Sequence, residues 1–406
     1  MGILSNNIKN IVGDRPRSTA VGFKTGIDLL DYSNGKLVKT KAKNNYYSLG
    51  IDDGTYVLIV GASGSGKTTF AIQTAYNIVR GYEEGMIIHY DIENATDLTR
   101  VNKLTGASIS ELEGKYVLVK PKIYIEDIYA SIIRLADQKR EHYEEIKVET
   151  PYLDENDNKI SIYPPTVVII DSIAMMKPKP VKTENDEEMS GQMSATMAAK
   201  KNTDFIKSIL QVLKETNIIL IGVNHINEKV NTSFLPTPAL INYLQQDETL
   251  PGGKAMFQFA NNLFKLQCST KLKEDEGYGF HGFKSKLTII KSRSAPAGKT
   301  IELVYEPNTG FNNVLSNWEK FKALKLVGGG GRAYYLTNLP DVKVTQKTII
   351  ETYENNKEFR MAFKKLIKEN YTDLIYTDDD EETPSEAKPK KAKKEKSASI
   401  DDVVID

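Results

Sequence analysis

The stretch "GASGSGKT", from Gly61 to Thr68, decides the fold that the rest of the chain can adopt. It satisfies the pattern G-x-x-x-x-G-K-[ST], follows the apolar run "YVLIV" and precedes the helical pattern "TTFAIQTAYNIV". A strand, a glycine-rich loop and a helix in this order form a phosphate-binding loop, because the backbone N–H groups can curl around phosphate oxygens. The stretch therefore predicts a site for a nucleoside triphosphate.

Two side chains of this loop have expected roles of their own. Lys67 is predicted to reach the β and γ phosphates, and the Thr68 hydroxyl to hold Mg²⁺. A second strand, "TVVIID", delivers Asp171 at its C-terminal end, where a carboxylate can hold the water shell of the magnesium. The remaining loop residues predicted to bind the nucleotide are Gly61, Ser63, Gly64, Ser65, Gly66 and Thr69.

Short apolar, β-branched runs alternate with helical stretches between residues 46 and 300. They include "MIIHYDIE", "YVLVK", "NIILIGVNH" and "KLTIIKSR". Strands that alternate with helices predict βαβ units and a mostly parallel sheet covered on both faces. We therefore expect an α/β core over residues 46–300.

The flanking segments have a different character. Residues 1–45 mix short apolar patches with Lys, Asn and Gly and predict a short N-terminal arm, and residues 301–375 predict a small C-terminal α/β domain. Residues 376–406 are acidic, then basic, then acidic, with few apolar residues, which predicts a disordered, charged interaction tail. Residues 138–165 are polar and predict a surface hairpin or loop.

Composition limits the partners and the compartment. Lysines and arginines equal acids at 54 each, so any contact with a polyanion must come from a local patch. Cys268 is the single cysteine, which excludes an internal disulfide and a cysteine cluster for zinc, and we expect it to be a small buried hydrophobe. No apolar stretch approaches the ~20 residues that span a bilayer, so we expect a cytoplasmic protein without a membrane partner.

The strand "MIIHYDIEN" ends on Asp91, Ile92 and Glu93, and the two acids are predicted to share a face of the strand. A carboxylate beside the γ-phosphate can orient the attacking water and accept its proton. Glu93 is therefore a candidate catalytic base, with a solvated strand end as the alternative.

Taken together, "YDIENATD", "VIIDSIA", "IGVNHI", "PGGKAMFQFANNLFKL" and "IIKSRSAPAG" follow the phosphate loop in an order that resembles the core of RecA-type recombinases. The resemblance covers about residues 45–340, and the histidine of "NHI" looks most like the bacteriophage UvsX branch. It implies a RecA-like P-loop NTPase core that uses ATP and Mg²⁺, with the N-terminal segment as an oligomerisation arm.

The resemblance also implies roles for individual residues. Glu93 matches the catalytic glutamate of the family, and Asp171 matches the Walker B aspartate. His225 lies where the family senses the γ-phosphate. Lys291 and Arg293 match paired cations that act on the ATP of the neighbouring subunit. At the base of the nucleotide, Asp97 matches an acid near the adenine, and Arg100 stands where an aromatic often stacks.

Two loops resemble the DNA-binding loops of the family. The segment "INEKVNTSFLPTPALINYLQQDETLPGG" follows the sensor strand, and "MMKPKPVKTENDEEMSGQM" follows Asp171. In the second of these, a solvated polar loop is an open alternative, because acids accompany its lysines. The residues predicted to bind DNA are Lys177, Lys179, Lys229, Phe234, Gly252, Gly253 and Lys254.

The resemblance implies an ATP-dependent DNA recombinase. Its subunits would form a helical filament on single-stranded DNA and promote pairing and strand exchange with homologous double-stranded DNA. The tail could contact a recombination mediator or a single-strand DNA-binding protein, and a phage-encoded chain would act in the host cytoplasm. A hexameric RecA-fold helicase and a regulatory P-loop ATPase that does not bind DNA are the alternatives.

Overall fold

The apolar runs of the sequence form strands, in keeping with their β-branched content. The structure is a computed structural model that describes residues 21–39, 45–120, 122–154, 157–180, 191–228, 242, 244–245, 247–274, 278–331 and 333–375. Within these residues the strands are β1 (Gly22–Phe23), β2 (Lys36–Val38), β3 (Tyr46–Ser48), β4 (Ile51–Asp52), β5 (Tyr56–Gly61), β6 (Met86–Asp91), β7 (Tyr116–Val119), β8 (Val148–Leu153), β9 (Lys159–Ile162), β10 (Thr166–Asp171), β11 (Ile218–His225), β12 (Asn227–Glu228), β13 (Glu248–Thr249), β14 (Asn262–Leu272), β15 (Gly282–Lys291), β16 (Thr300–Glu306), β17 (Gly310–Asn312), β18 (Val327–Gly330), β19 (Ala333–Leu336) and β20 (Leu339–Val344).

The helices connect these strands and cover the sheet. Over the same part of the chain they are α1 (Asp28–Ser33), α2 (Lys67–Val79), α3 (Leu98–Thr105), α4 (Ile109–Lys115), α5 (Ile125–Glu141), α6 (Tyr143–Ile146), α7 (Gly191–Thr216), α8 (Lys254–Gln258), α9 (Asn313–Ala323), α10 (Ile349–Asn355) and α11 (Lys357–Tyr371), with 3-10 turns at Ile173–Met175 and Thr372–Leu374. None of the described helices has the length and apolar content that crossing a bilayer requires.

Nine of the described strands form one sheet in the order β17-β16-β15-β14-β5-β11-β10-β6-β7. From β14 to β7 each strand is parallel to its neighbour, whereas β15, β16 and β17 pair antiparallel. The predicted α/β class with a mostly parallel sheet is confirmed. The antiparallel end arises because residues 273–281 are too few for the crossover helix that a parallel pair needs.

Apolar side chains pack against both faces of this sheet. Along β5, Val57 faces a cluster that contains Phe70 of α2 and Trp318 of α9. The next residue, Leu58, faces the opposite cluster, which contains Phe205 of α7. The strands are therefore buried on both sides, which fixes where their carboxyl ends lie.

The described residues belong to one compact unit. Strands β16 and β17 extend the main sheet past the boundary predicted at residue 300, and β1 pairs with β4, so residues from 21 onward already pack on the core. The excursion predicted over residues 138–165 contains the hairpin of β8 and β9. Most of the predicted arm and the whole predicted tail lie outside the described residues.

Candidate functional site

The carboxyl ends of four neighbouring strands build the site. Because β5, β11, β10 and β6 are parallel and adjacent, their ends meet at one edge of the sheet. Gly61 lies in register with His225, and Asp171 lies in register with Asp91. The phosphate loop, the strand "TVVIID" and the sensor strand are thus brought together as the sequence predicts.

Glycines shape the phosphate loop. Gly64 and Gly66 have φ values of +75° and +88°, which side chains with a Cβ rarely adopt, and Gly66 immediately precedes α2. A Cβ on Gly61 would lie 2.3 Å from the Leu266 carbonyl oxygen of the neighbouring strand. Glycine at these positions therefore lets the loop take this path without backbone strain or a clash with β14.

Lys67 and Asp171 are buried, and Thr68 between them is half-buried. Lys67 donates from Nζ to the Ala62 carbonyl oxygen at 2.8 Å, and burial lowers its pKa against the opposing effect of nearby carboxylates. Thr68 donates from Oγ1 to Oδ2 of Asp171 at 2.5 Å. Burial raises the pKa of Asp171 to about 6. A hydroxyl and a carboxylate oxygen are ligands that Mg²⁺ prefers, so this pair fits the predicted metal.

Glu93 is positioned by the backbone turn that follows β6. The amide nitrogens of Ile92 and Glu93 donate to the Asp171 carbonyl oxygen at 2.7 and 3.2 Å. Asp91 is buried, and its carboxylate accepts the Thr96 amide at 2.8 Å. The prediction that Asp91 and Glu93 share a strand face was wrong, because the strand ends at Asp91 and the turn directs Glu93 into the site.

Glu93 and His225 form a hydrogen-bonded pair at the mouth of the site. His225 Nε2 lies 3.0 Å from Oε1 of Glu93, and both side chains are about one-third exposed. Burial acts to raise the pKa of Glu93, but hydrogen bonds, including that with His225, and the charge of Lys67 outweigh it and lower the pKa. Glu93 is therefore ionised at neutral pH, and its carboxylate accepts a hydrogen bond from Nε2 of His225.

These residues enclose a pocket of about 250 Å³. Ser65 lies behind it, with a buried hydroxyl that has no hydrogen-bond partner among the described residues. The lining residues are Ser63, Gly64, Gly66, Lys67, Thr68, Thr69, Glu93, Asp171, His225 and Tyr305. The structure thus brings together the predicted phosphate, metal, base and sensor residues.

Tyr305 at the end of β16 is a pocket residue that the sequence analysis missed. Its ring stacks on Phe283 with centroids 4.3 Å apart, and its hydroxyl lies 3.3 Å from Nη2 of Arg100. Arg100 also donates to the Pro307 carbonyl oxygen at 2.6 Å, while Asp97 caps α3 by accepting the Arg100 amide at 2.7 Å. The predicted base-binding residues therefore lie beside Tyr305 and outside the set that lines the pocket.

Lys291 and Arg293 do not line the nucleotide pocket of their own chain. Lys291 donates from Nζ to the Gln258 carbonyl oxygen at 2.5 Å, at the end of α8. Burial lowers the pKa of Lys291, and the adjacent Arg293 adds to this effect. Arg293 itself is exposed. Of the two cations, Arg293 is therefore open to a neighbouring molecule, whereas Lys291 is half-buried and already bonded to Gln258.

Cys268 also departs from expectation. It is exposed, and its Sγ lies 3.7 Å from the Gly64 carbonyl oxygen of the phosphate loop. The prediction of a buried cysteine was wrong because β14 continues beyond the end of β5, where Leu266 pairs with Gly61. Residues 267–271 of β14 lie past that point and are exposed.

A second concave surface lies between α7 and α8, with a volume of about 360 Å³. We call it the basic groove and define it by Lys200, Thr203, Lys207, Lys254 and Phe259. The first three are spaced i, i+3 and i+7, so they share one face of α7. Lys207 Nζ lies 5.8 Å from the centre of the Phe259 ring. Within the described chain none of the three lysines takes part in an ion pair.

The predicted DNA-binding residues have different outcomes. Gly252 and Gly253 have φ values of +93° and +97° and lead into α8, which places Lys254 in the basic groove. Lys177 is exposed, whereas Lys179 forms an ion pair with Asp127 at 2.5 Å. Lys229 and Phe234 lie outside the described residues.

The sequence analysis missed Lys200, Thr203 and Lys207. The signal that could have found them is their spacing on one face of a helix that buries Phe205 on another.

Comparison with known proteins gives two matching family models, which together cover the site. The ATPase model of KaiC matches residues 23–230, and the model of the RecA N-terminal domain matches residues 154–311. The first range contains Lys67 and Glu93, both ranges contain Asp171 and His225, and the second contains Tyr305.

Individual relatives are similar at low identity. Protein RecA of Acholeplasma laidlawii (strain PG-8A) is 24% identical over 300 residues, which are 73% of this chain and 74% of the relative. Protein RecA of Halalkalibacterium halodurans is 24% identical over 322 residues, covering 79% and 78%. Protein RecA of Bacillus subtilis (strain 168) is 22% identical over 349 residues, covering 84% and 91%.

Proposed function

Because this chain belongs to the RecA-like ATPase family, we propose that it is an ATP-dependent DNA recombinase. Its subunits assemble on single-stranded DNA with ATP and Mg²⁺ into a helical filament, and the filament promotes pairing and strand exchange with homologous double-stranded DNA. The observation that carries the proposal is the basic groove between α7 and α8, where three lysines without an ion pair among the described residues lie beside the ring of Phe259.

The nucleotide pocket supports hydrolysis of ATP to ADP and phosphate. Lys67 and the loop amides hold the phosphates, and Thr68 with Asp171 hold the magnesium, which when bound would draw charge from the β and γ phosphates. Glu93 orients a water molecule and accepts its proton as the water oxygen attacks the γ-phosphorus and the bond to the bridging oxygen breaks. Tyr305, Asp97 and Arg100 lie on the side where the base would rest.

His225 is proposed to sense the γ-phosphate. Its Nε2 bonds to Glu93 in this structure, so a γ-phosphate oxygen would compete with the carboxylate for the same nitrogen. His225 would therefore bond to the γ-phosphate when ATP is bound and to Glu93 when ADP is bound. A histidine at this place is also the residue that supports placement near the phage UvsX branch.

The basic groove supports a contact with nucleic acid. The whole chain has equal numbers of cationic and acidic residues, 54 of each, so it has no general attraction for polyanions. Three lysines without ion-pair partners in the described chain, grouped beside an aromatic ring, form a local site for phosphates and for a base or sugar face. Phosphate contacts of this type position a strand without reading its sequence, as homologous pairing requires.

Assembly supplies the remaining parts of the proposal. Lys291 and Arg293 act on the ATP of the adjacent subunit, and the N-terminal arm contributes to the filament contact. The charged tail contacts a mediator or a single-strand DNA-binding protein, and the protein works in the cytoplasm, that of the host if the chain is phage-encoded. Cations supplied in trans would make hydrolysis depend on assembly.

The test is ATP hydrolysis with and without single-stranded DNA, with the products viewed by negative-stain electron microscopy. We expect DNA to stimulate turnover strongly and helical filaments to form. Glu93→Gln is expected to lower turnover about a hundredfold or more and to leave the filaments intact, because it removes the proton acceptor only. Glu113→Gln, exposed on α4, is the matched control and should leave turnover unchanged.

Two results would overturn the proposal. Closed rings with directional unwinding would identify a helicase. Turnover that ignores DNA, without filaments, would leave a regulatory ATPase.

A further inference from the structure

A buried ion pair lies between the nucleotide pocket and the basic groove. Lys265 Nζ contacts both carboxylate oxygens of Glu248, at 2.6 and 2.7 Å. The two side chains are only 8% and 9% exposed, so neither charge is solvated by bulk water. The carboxylate also accepts the Gln245 amide at 2.8 Å, so both of its oxygens are hydrogen-bonded.

The two partners come from different parts of the site. Lys265 lies on β14 in register with Val60, the residue directly before the phosphate loop. Glu248 begins β13, which pairs with β12 directly after the sensor strand β11. The pair therefore joins the sheet beneath the phosphate loop to the backbone that leads into Gly252 and α8.

Two more buried side chains hold the residues that follow Glu248. Asn224, next to the sensor His225, donates from Nδ2 to the Pro251 carbonyl oxygen at 2.8 Å. Asn202 of α7 donates from Nδ2 to the Gly252 carbonyl oxygen at 3.1 Å. Side chains of β14, β11 and α7 thus hold residues 248–253 in place, and Lys254 of the basic groove follows directly.

A buried ion pair of this kind fixes the geometry of the backbone more than it stabilises the fold. Removing two charges from water costs several kcal/mol for each ion, and a well-packed apolar pair of similar volume is often as stable or more stable. The charge-assisted hydrogen bonds of an ion pair fix the angle and the distance between the two side chains. An apolar pair has no such directional contact. The pair is therefore suited to hold the backbone of residues 248–253 in one place.

We propose that Lys265 is a positioning residue for the basic groove. Through Glu248 it holds Gly252, Gly253 and α8 so that Lys254 faces Lys200 and Lys207, and this sets the affinity of the groove for the phosphates of single-stranded DNA. The inference rests on the proposed function, since it assumes that the groove binds DNA. Lys265 touches neither the DNA nor the nucleotide.

The test uses the full chain and compares Lys265→Met/Glu248→Met with the wild type. Removing both charges leaves no unpaired ion, so we expect melting close to the wild type. We expect the Kd for a labelled oligo-dT, measured with a non-hydrolysable ATP analogue, to rise about tenfold, a size typical of residues that act through a contact network. The DNA concentration for half-maximal ATPase should rise equally, with kcat and the Kd for the nucleotide unchanged.

A control removes another lysine–glutamate pair, which is partly exposed. Lys284 contacts Glu319 at 2.6 Å on the far side of the antiparallel end of the sheet, and Lys284→Met/Glu319→Met should leave the oligo-dT Kd unchanged. Lys265→Gln/Glu248→Gln is a second variant, which replaces the ion pair with a neutral polar pair and leaves no unpaired charge, and it should raise the oligo-dT Kd about threefold because neutral hydrogen bonds are weaker than charge-assisted ones.

The outcomes separate the two proposals. A wild-type chain that fails to bind oligo-dT would reject the proposed function, and this inference with it. A wild type that binds, together with an unchanged oligo-dT Kd in Lys265→Met/Glu248→Met, would overturn this inference alone. If the methionine variant does not fold, an unchanged oligo-dT Kd in Lys265→Gln/Glu248→Gln has the same meaning.

Discussion

Asp31 is a buried carboxyl that the proposed mechanism does not use. It lies in α1, where Oδ1 accepts the Thr25 amide at 2.8 Å and the Thr25 hydroxyl at 2.7 Å. Burial raises the pKa of Asp31 from 3.8 to about 7. Between these values the folded chain binds more protons at Asp31 than the unfolded chain does, so this group makes the protein less stable as the pH rises through that range.

We predict that Asp31→Asn increases the free energy of unfolding at pH 8 by about 2–4 kcal/mol. The amide oxygen can keep both bonds from Thr25 without placing a charge in the core. The gain should shrink towards pH 5, where Asp31 is protonated in the folded chain. Urea denaturation at the two pH values measures it, and Thr25→Val, which removes a donor, should destabilise the chain. An equal gain at both pH values would contradict the electrostatic account.

Local sequence determines some site residues and long-range pairing determines others. Lys67 and Thr68 both line the pocket, because a short motif determines the backbone path on which they lie. Tyr305 could not be predicted in the same way, since it reaches the pocket only through the antiparallel pairing of β16 with β15. Cys268 is exposed because β14 runs past β5, and no residue near Cys268 in the sequence indicates that extension.

At the level of elements, helix α7 has one face that packs in the core and another that lines the basic groove. One face buries Phe205, Ile206 and Ile209 in the core, and another presents Lys200 and Lys207 in the basic groove. If each lysine neutralises a DNA phosphate, each adds to the salt dependence of binding, because counterions leave the DNA when the contact forms.

We predict that Lys200→Ala/Lys207→Ala weakens binding to single-stranded DNA and reduces the slope of log K against log salt by about 1.4. Nucleotide affinity should not change, because neither lysine lines the nucleotide pocket. Fluorescence anisotropy of a labelled oligonucleotide over a salt series measures the slope. Lys364→Ala/Lys368→Ala removes two exposed charges from α11 and is the matched control. An unchanged slope in the groove variant would remove the groove from the DNA contact.

The elements themselves were predictable where strands alternate with helices. The parallel pairing of β5, β6, β10 and β11 follows from that alternation and is confirmed, but their order in the sheet, β5-β11-β10-β6, differs from their order along the chain. The antiparallel end was not predictable from strand content, because "NNLFKLQ" and "KLTIIKSR" contain short apolar runs, as the parallel strands do. The length of the connection between them carries the information, since nine residues suit a hairpin and not a crossover.

For the whole molecule, the position of Lys291 and Arg293 indicates how copies of the chain would depend on one another. Both lie away from the nucleotide pocket of their own chain, and Arg293 is exposed. A contact that places them on the pocket of the next copy joins two different surfaces, and repeating such a contact generates a ring or a helical filament. Each active site would then combine the pocket of one subunit with the cations of its neighbour.

This arrangement predicts that two inactive variants restore activity when they are mixed. Lys67→Ala damages the pocket and keeps the cations, whereas Lys291→Ala/Arg293→Ala damages the cations and keeps the pocket. In an equal mixture one interface in four joins an intact pocket to intact cations, so DNA-stimulated turnover should recover to about a quarter of the wild-type rate.

The matched control mixes Lys67→Ala with Glu93→Gln, two variants damaged in the same pocket, and it should show no recovery. Because Lys291 also bonds to Gln258 near the basic groove, Arg293→Ala alone is the second test, and it should complement Lys67→Ala as well. If neither mixture recovers while all the variants still form filaments, the cations do not act across the interface. Lys291 and Arg293, at the end of β15, would then support α8 and the basic groove of their own subunit.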